Sequence, residues 1–166
     1  MPTYYAILTT LGAQRLAEAQ MSGVPLVFTE IAVGDGGGAA TTPSAAQTVL
    51  VNEVWRGDVN LVEIYESAPR TVRVEGLIPS ATGGFTIREA GLFNSSGELI
   101  VVASYPPIYK PTPAEGVTVE EYIRILLEYA TIEAVALTTD PSVVTATQEY
   151  VDDMTAGGLW LWENFT

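Results

Sequence analysis

The chain has no cysteine and no histidine. The first absence excludes disulfides and thiolate chemistry. The second removes the usual general base, the commonest transition-metal ligand and any Ser-His-Asp relay. There is a single lysine, Lys110, and the formal net charge is -13. A surface this acidic repels phosphate backbones and anionic headgroups, which argues against nucleic-acid partners and against membrane surfaces. No uninterrupted apolar run approaches the ~20 residues of a membrane-spanning helix, so no membrane insertion is expected. The opening "MPTYYAILTTLGAQRL" carries no basic leader ahead of its apolar stretch, and no signal peptide is expected either. The expected place of synthesis and assembly is the cytosol of the producing cell.

What is present is a chain of 166 residues, 48% apolar, long enough for one domain with a real core and an appendage. "TLGAQRLAEAQM", residues 10–21, predicts a weakly amphipathic helix capped by Thr10 and ended by Gly23. "VPLVFTEIAVGDGGG" predicts a strand through Ile31 and Val33 that runs into a glycine turn, and 36–46 a small-residue surface loop. From 48 to 105 the period becomes two. "NLVEIYE", "TVRVEGLI", "GFTIREAGLFN" and "ELIVVASY" are strand-like runs separated by turn compositions, which predicts an antiparallel meander. "NSSG" marks its clearest hairpin. Pro106, Pro107, Pro111 and Pro113 predict a stiff extended connector. Residues 117–137 mix helical and strand signals, and their β-branched alternation favours a long strand. Asp140-Pro141-Ser142 opens a short helix in which Val144, Thr147, Val151 and Met154 recur at 3-4-3 spacing, a coiled-coil-like seam. The fold class expected is α+β: mainly antiparallel β-sheet with an amino-terminal helix and a short carboxy-terminal helix.

Few constellations suggest chemistry. "AVGDGGG" lacks the lysine and helix start of a phosphate loop, so a tight turn is the better reading. Arg56-Gly57-Asp58 spells an adhesion tripeptide, which three residues also do by chance. Asp152-Asp153 and Glu120-Glu121 lack the spaced ligands of a calcium loop and read as solvated charge. Arg88 and Glu89 sit side by side in a strand and face opposite sides. One of them points inward and needs a partner, as a buried ion pair or as a subunit contact. No catalytic, metal or cofactor residue emerges, which leaves a binding or assembly module. Its end, "GGLWLWENFT", holds two of the three tryptophans and one of the four phenylalanines.

In order along the chain, "ILTTLGAQRLA", "EIAVGDGGG", "LVNEVWRGDVN", "GGFTIREAGLFNSSGELIVVASYPPIYKP" and "ATQEYVDD" resemble the amino-terminal domain of phage tail-collar fibre proteins, the tail fibres of contractile-tailed phages and related tailocins. The resemblance spans roughly residues 5–153. It implies a structural virion protein at the tail baseplate periphery and no enzyme. Its implied partners are further copies of itself in a homotrimer and a baseplate wedge protein. The positions matching the family pattern are Gly34, Asp35, Gly36, Trp55, Arg56, Gly84, Phe85, Arg88, Glu89, Gly91, Leu92, Tyr109 and Lys110, which it marks as fold-defining or attachment residues. It divides the chain into an attachment domain (1–140), a helix on the trimer axis (141–156) and an apolar docking tail (157–166). Family fibres continue far past "YVDD", where this sequence has thirteen further residues. The expectation is therefore an adaptor to a distal fibre protein, or a fibre without a shaft. Trp160, Trp162 and Phe165 would anchor the tail on a neighbouring chain, and the alternative is that the tail folds onto its own sheet. Two other readings stay open. A host-surface glycan-binding module would expose Tyr65, Tyr105 and Tyr109 on one face. A carboxylate-only hydrolase would set two acids about 5–9.5 Å apart.

Overall fold

A computed structural model describes residues 4–128 and the backbone of Thr138–Thr139. The seam residues Val144, Thr147, Val151 and Met154, and the tail residues Trp160, Trp162 and Phe165, lie outside the described residues, as does the expected carboxy-terminal helix. The elements are β1 (Ala6–Leu8), α1 (Thr10–Ser22), β2 (Glu30–Gly34), β3 (Glu53–Asp58), β4 (Leu61–Ile64), β5 (Thr71–Ile78), β6 (Phe85–Phe93), β7 (Leu99–Lys110), β8 (Glu121–Glu128) and β9 (Thr138–Thr139), with 3-10 turns at Gly36–Gly38 and Pro113–Glu115.

The strands form two antiparallel sheets, ordered β1-β7-β6-β2-β3 and β8-β5-β4-β9. The expected meander is thus corrected. Among the described residues only the β2–β3, β4–β5 and β6–β7 pairs join strands consecutive in the chain; β2 pairs across to β6, and β5 to β8. The sheets share one core. Val72, Val74 and Ile78 alternate inward along β5, Ile123, Ile125 and Leu127 along β8, and they meet Ile31 and Val33 of β2 and Ile87 and Leu92 of β6. Gly76 is bare because the other sheet comes so close: a Cβ there would lie 2.2 Å from Ile31 Cγ2. On the other side of the first sheet Leu50, from the loop after the glycine turn, covers Ala32, Phe93, Leu99 and Val102. Both faces of β6 are therefore buried over Glu89–Phe93.

The helix forms as expected, with its cap one residue earlier. Thr9 Oγ1 accepts the Gly12 N–H at 2.8 Å and itself donates to the Leu99 carbonyl, so the cap also ties the helix to β7. Gly23 ends it in the left-handed conformation, φ 72°. Gly12 lets the helix settle on β7, since a Cβ would come 2.1 Å from the Ile100 carbonyl oxygen.

The proline-rich segment is not a separate connector. β7 runs through Pro106 and Pro107 to Lys110 and pairs again with β6, Ile87 opposite Ile108 and Phe85 opposite Lys110. The register jumps between Ile87 and Glu89, so Arg88 faces a bulge that holds both prolines, where no ladder N–H is required. "NSSG" closes the β6–β7 hairpin, with the Gly97 N–H donating to the Asn94 carbonyl. Strand β8 covers Glu121–Glu128 of the longer strand expected over 117–137; residues 129–137 lie outside the described residues. The short β1 and the charged β3 carry no period-two run long enough to be read from sequence.

Candidate functional site

Five family-pattern positions, Gly34, Asp35, Gly36, Arg88 and Glu89, converge on one knot, where β2 leaves the sheet. Glu89 is fully buried on β6, and its carboxylate accepts the backbone N–H groups of Asn52 at 2.9 Å and Val51 at 3.0 Å. Its partner is therefore neither of the two expected. Loop backbone amides, not a buried cation or another subunit, satisfy the charge. Gly34 lies against it with no room for a side chain, because a Cβ would stand 2.3 Å from Glu89 Oε1 and 2.6 Å from the Asn52 carbonyl oxygen.

Asp35 closes the knot. Its carboxylate accepts the Asn52 amide at 2.8 Å and the Gly37 N–H at 2.8 Å, and its own N–H donates to the Asn52 carbonyl. The Asn52 bond first, then Gly37, holds this carboxyl below its ordinary pKa. The glycine turn thus encloses its own carboxylate, which settles "AVGDGGG" as a turn; Gly36, Gly37 and Gly38 all have positive φ. Arg88 donates from Nη1 to the Asp35 carbonyl at 3.2 Å. Gly91 makes room for Leu50 and Leu99, and Leu92 belongs to the main core.

Trp55 and Arg56 occupy opposite faces of β3. The Trp55 ring packs against the main core and lies over Gly57, where a Cβ would come 2.4 Å from the indole. Arg56 stacks on Phe93, 3.7 Å from the ring centroid, and pairs with Glu53 at 2.8 Å and Glu30 at 3.1 Å. In the Arg-Gly-Asp tripeptide the guanidinium is thus committed to the sheet and the glycine to the tryptophan. An adhesion loop would need both free.

A second cluster closes the far end of the β6–β7 ladder. Gly84, φ 86°, donates its N–H to the Lys110 carbonyl, and Phe85 packs on the core beside it. Lys110 is buried, and its ammonium donates to the Val119 carbonyl, fastening the segment that leads to β8. Tyr109, 53% exposed, donates its hydroxyl to Glu115 at 2.6 Å. Glu115 also accepts the Thr112 N–H, completing a capping box.

Three contacts had no signature in the sequence. Glu98 receives a two-pronged bond from Arg15, at 2.6 and 2.8 Å, which joins α1 to the β6–β7 hairpin. Glu75 bridges Arg73 and Arg124 across β5 and β8, and Glu63 takes the other side of Arg73. Tyr4, Tyr5 and Tyr105 line a shallow cavity beside Arg88. The three tyrosines expected to share one face do not share a setting. Tyr65 lies near Arg73, Tyr105 is mostly buried beside β8, and Tyr109 bonds Glu115. Among the described residues no group of three or more acidic side chains is placed to hold a metal ion.

Side chains spent on pinning loops to a two-sheet core define a structural module. The sequence pattern of the family described as phage tail-collar fibre protein, N-terminal, matches residues 1–149, and the chain belongs to that family. It is a tail fibre protein of a phage, hence a virion component. The "Probable tail fiber protein" of Escherichia phage P2 is 40% identical over 154 residues, 92% of this chain and 23% of the relative. The chain thus spans about a quarter of that relative's length. No solved structure matches it.

Proposed function

We propose that residues 1–140 form the baseplate-attachment end of a tail fibre in a contractile tail, binding a baseplate wedge protein and coupling it to a host-recognition fibre. The observation that carries this reading is the extent of the match. An amino-terminal family pattern covers 149 residues, and the similarity takes in 92% of this chain but 23% of the relative. What is shared is an amino-terminal module rather than a whole fibre. The loop tethers at Glu89 and Lys110 suit a part that transmits load without deforming.

In this proposal residues 141–156 form a homotrimer axis through Val144, Thr147, Val151 and Met154, and residues 157–166 dock on a distal fibre protein through Trp160, Trp162 and Phe165. The role is mechanical and involves no catalysis. The net charge of -13 keeps protomers apart before assembly and steers them to a basic wedge surface at the baseplate periphery. No observation favours the glycan-binding alternative.

The test is native mass measurement and co-purification with virion components, on the chain with and without residues 157–166. A trimer that loses only its distal partner on truncation supports the proposal. A monomer in both forms removes the trimer axis, and unchanged co-purification after truncation removes the docking tail.

A further inference from the structure

The bulge in β6–β7 aims Arg88 away from the ladder and into the cavity of about 280 Å3 that Tyr4, Tyr5, Thr41, Thr42 and Tyr105 also line. Bulges re-aim side chains in this way beside binding sites. The guanidinium is held by one bond, from Nη1 to the Asp35 carbonyl, and by packing of its stem near Gly36. Its remaining N–H groups have no acceptor among the described residues. Arg15, Arg56, Arg73 and Arg124 each have a carboxylate within 4.0 Å. Arg88 and the exposed Arg70 have none among the described residues, and Arg88 lines a cavity. On a chain of net charge -13, Arg88 is thus a cation lining a cavity, with the Asp35 carboxylate feeling its charge from beyond ion-pair distance.

The lining also selects the kind of anion. Among the described residues the polar side chains lining the cavity besides Arg88 are hydroxyls, with no carboxylate or amide to chelate vicinal sugar hydroxyls. A planar guanidinium fork matches a carboxylate in two-pronged fashion. Tyr4 and Tyr5, 42% and 43% exposed, offer aromatic faces to the aliphatic atoms beside it. We propose that this pocket binds an acidic peptide segment of a partner protein, an Asp or Glu carboxylate lying on the Arg88 guanidinium and its flanking carbons on Tyr4 and Tyr5. The proposal rests on the attachment reading only for where that partner sits. The pocket itself is tested on the isolated chain, and a failure of baseplate attachment would not alter that result.

The experiment is an NMR titration of the full 166-residue chain, observing backbone amides and arginine Nε–Hε groups. The probes are N-acetyl-glutamate N-methylamide, its glutamine counterpart and glucuronic acid. The glutamate probe is expected to give saturable shifts at Arg88, Tyr5 and Thr42 and to bind roughly tenfold or more tightly than the glutamine probe, since only the carboxylate brings an opposite charge and a second acceptor oxygen to the guanidinium. Arg88→Gln abolishes the difference. Because that change also removes the bond to Asp35, Tyr4→Ala serves as a second variant that spares every loop tether and weakens the glutamate probe several-fold. Equal shifts with both peptides overturn the proposal, and so does the absence of shifts at Arg88. Binding of glucuronic acid with no response to the glutamate probe assigns the pocket to a sugar acid and overturns it too.

Discussion

Glu89 and Asn52 hold each other across 37 residues of sequence. The carboxylate accepts the Asn52 N–H at 2.9 Å, while the Asn52 carbonyl accepts the N–H of Asp35 at 3.1 Å. The loop after the glycine turn is thereby closed onto the sheet, and Leu50 is carried over Phe93 and Leu99. A buried carboxylate normally raises the energy of a fold. Here two backbone donors replace its lost hydration, and the same bonds set the loop's course.

Glu89→Ala should therefore leave two amides and a void where the carboxylate was, and cost about 3 kcal/mol or more. Urea unfolding reads the loss, and hydrogen exchange at Val51 and Asn52 should quicken before the rest of the sheet. Glu89→Gln retains one acceptor and should cost less than the alanine change. Equal stability of Glu89→Ala and the parent chain would show that the loop is held elsewhere.

Gly12→Ala separates helix propensity from packing. Alanine is about 1 kcal/mol better than glycine inside a helix. At this position its Cβ would lie 2.1 Å from the Ile100 carbonyl, against backbone that cannot turn aside. The variant should melt lower than the parent, by roughly 1–3 kcal/mol of overpacking beyond the propensity gain. A rise in melting temperature would mean that α1 stands off β7 in solution.

Gly57→Ala should displace the Trp55 indole, since the new methyl would occupy the ring's place 2.4 Å away. In a background carrying Trp160→Phe and Trp162→Phe, Trp55 is the sole indole, and its emission should shift to the red as it leaves the core. Asp58→Ala, three residues from Trp55 on an exposed position, should leave that emission unchanged.

Acid should loosen several tethers together. Bonds from Arg15 and then Asn94 hold the Glu98 carboxyl at about 2, down from 4.5. Glu115, through the Thr112 N–H, and Asp35 are lowered as well. A folded-state value below the unfolded one means that the Glu98 contribution is complete above about pH 4.5 and fades as pH falls towards 2. Carboxyl-carbon NMR should show Glu98 titrating far below an ordinary glutamate, and Glu98→Gln should flatten part of the loss of stability in that range. An ordinary titration of Glu98 would mean that Arg15 does not hold it in solution.

Much of this was legible along the chain because it depends on neighbours a few residues apart. The helix over 10–21 and its end at Gly23 follow from side-chain spacing and a left-handed glycine acting within a turn or two, although the cap is Thr9 rather than Thr10. The β5 alternation Val72, Val74, Gly76, Ile78 displays its buried face at period two. The ordered motifs from "ILTTLGAQRLA" to "ATQEYVDD" carried the family. Absences did as much: without histidine or cysteine, whole classes of chemistry were closed before any fold was known.

Tertiary structure decided whatever depends on which distant segments meet. Period two marks strands but not their order, so the pairing of β2 with β6 and of β5 with β8 had no local signature. Either Arg88 or Glu89 had to turn inward and find a partner; it is Glu89, its partner is loop backbone, and backbone amides look alike at every position. Gly34 read as part of a turn and nothing along the chain singled out the packing of Gly57 or Gly76, while their bareness answers to a carboxylate, an indole and an isoleucine brought against them by the fold. Local sequence encodes the conformation each segment prefers; burial and hydrogen-bond satisfaction select which of those segments face one another.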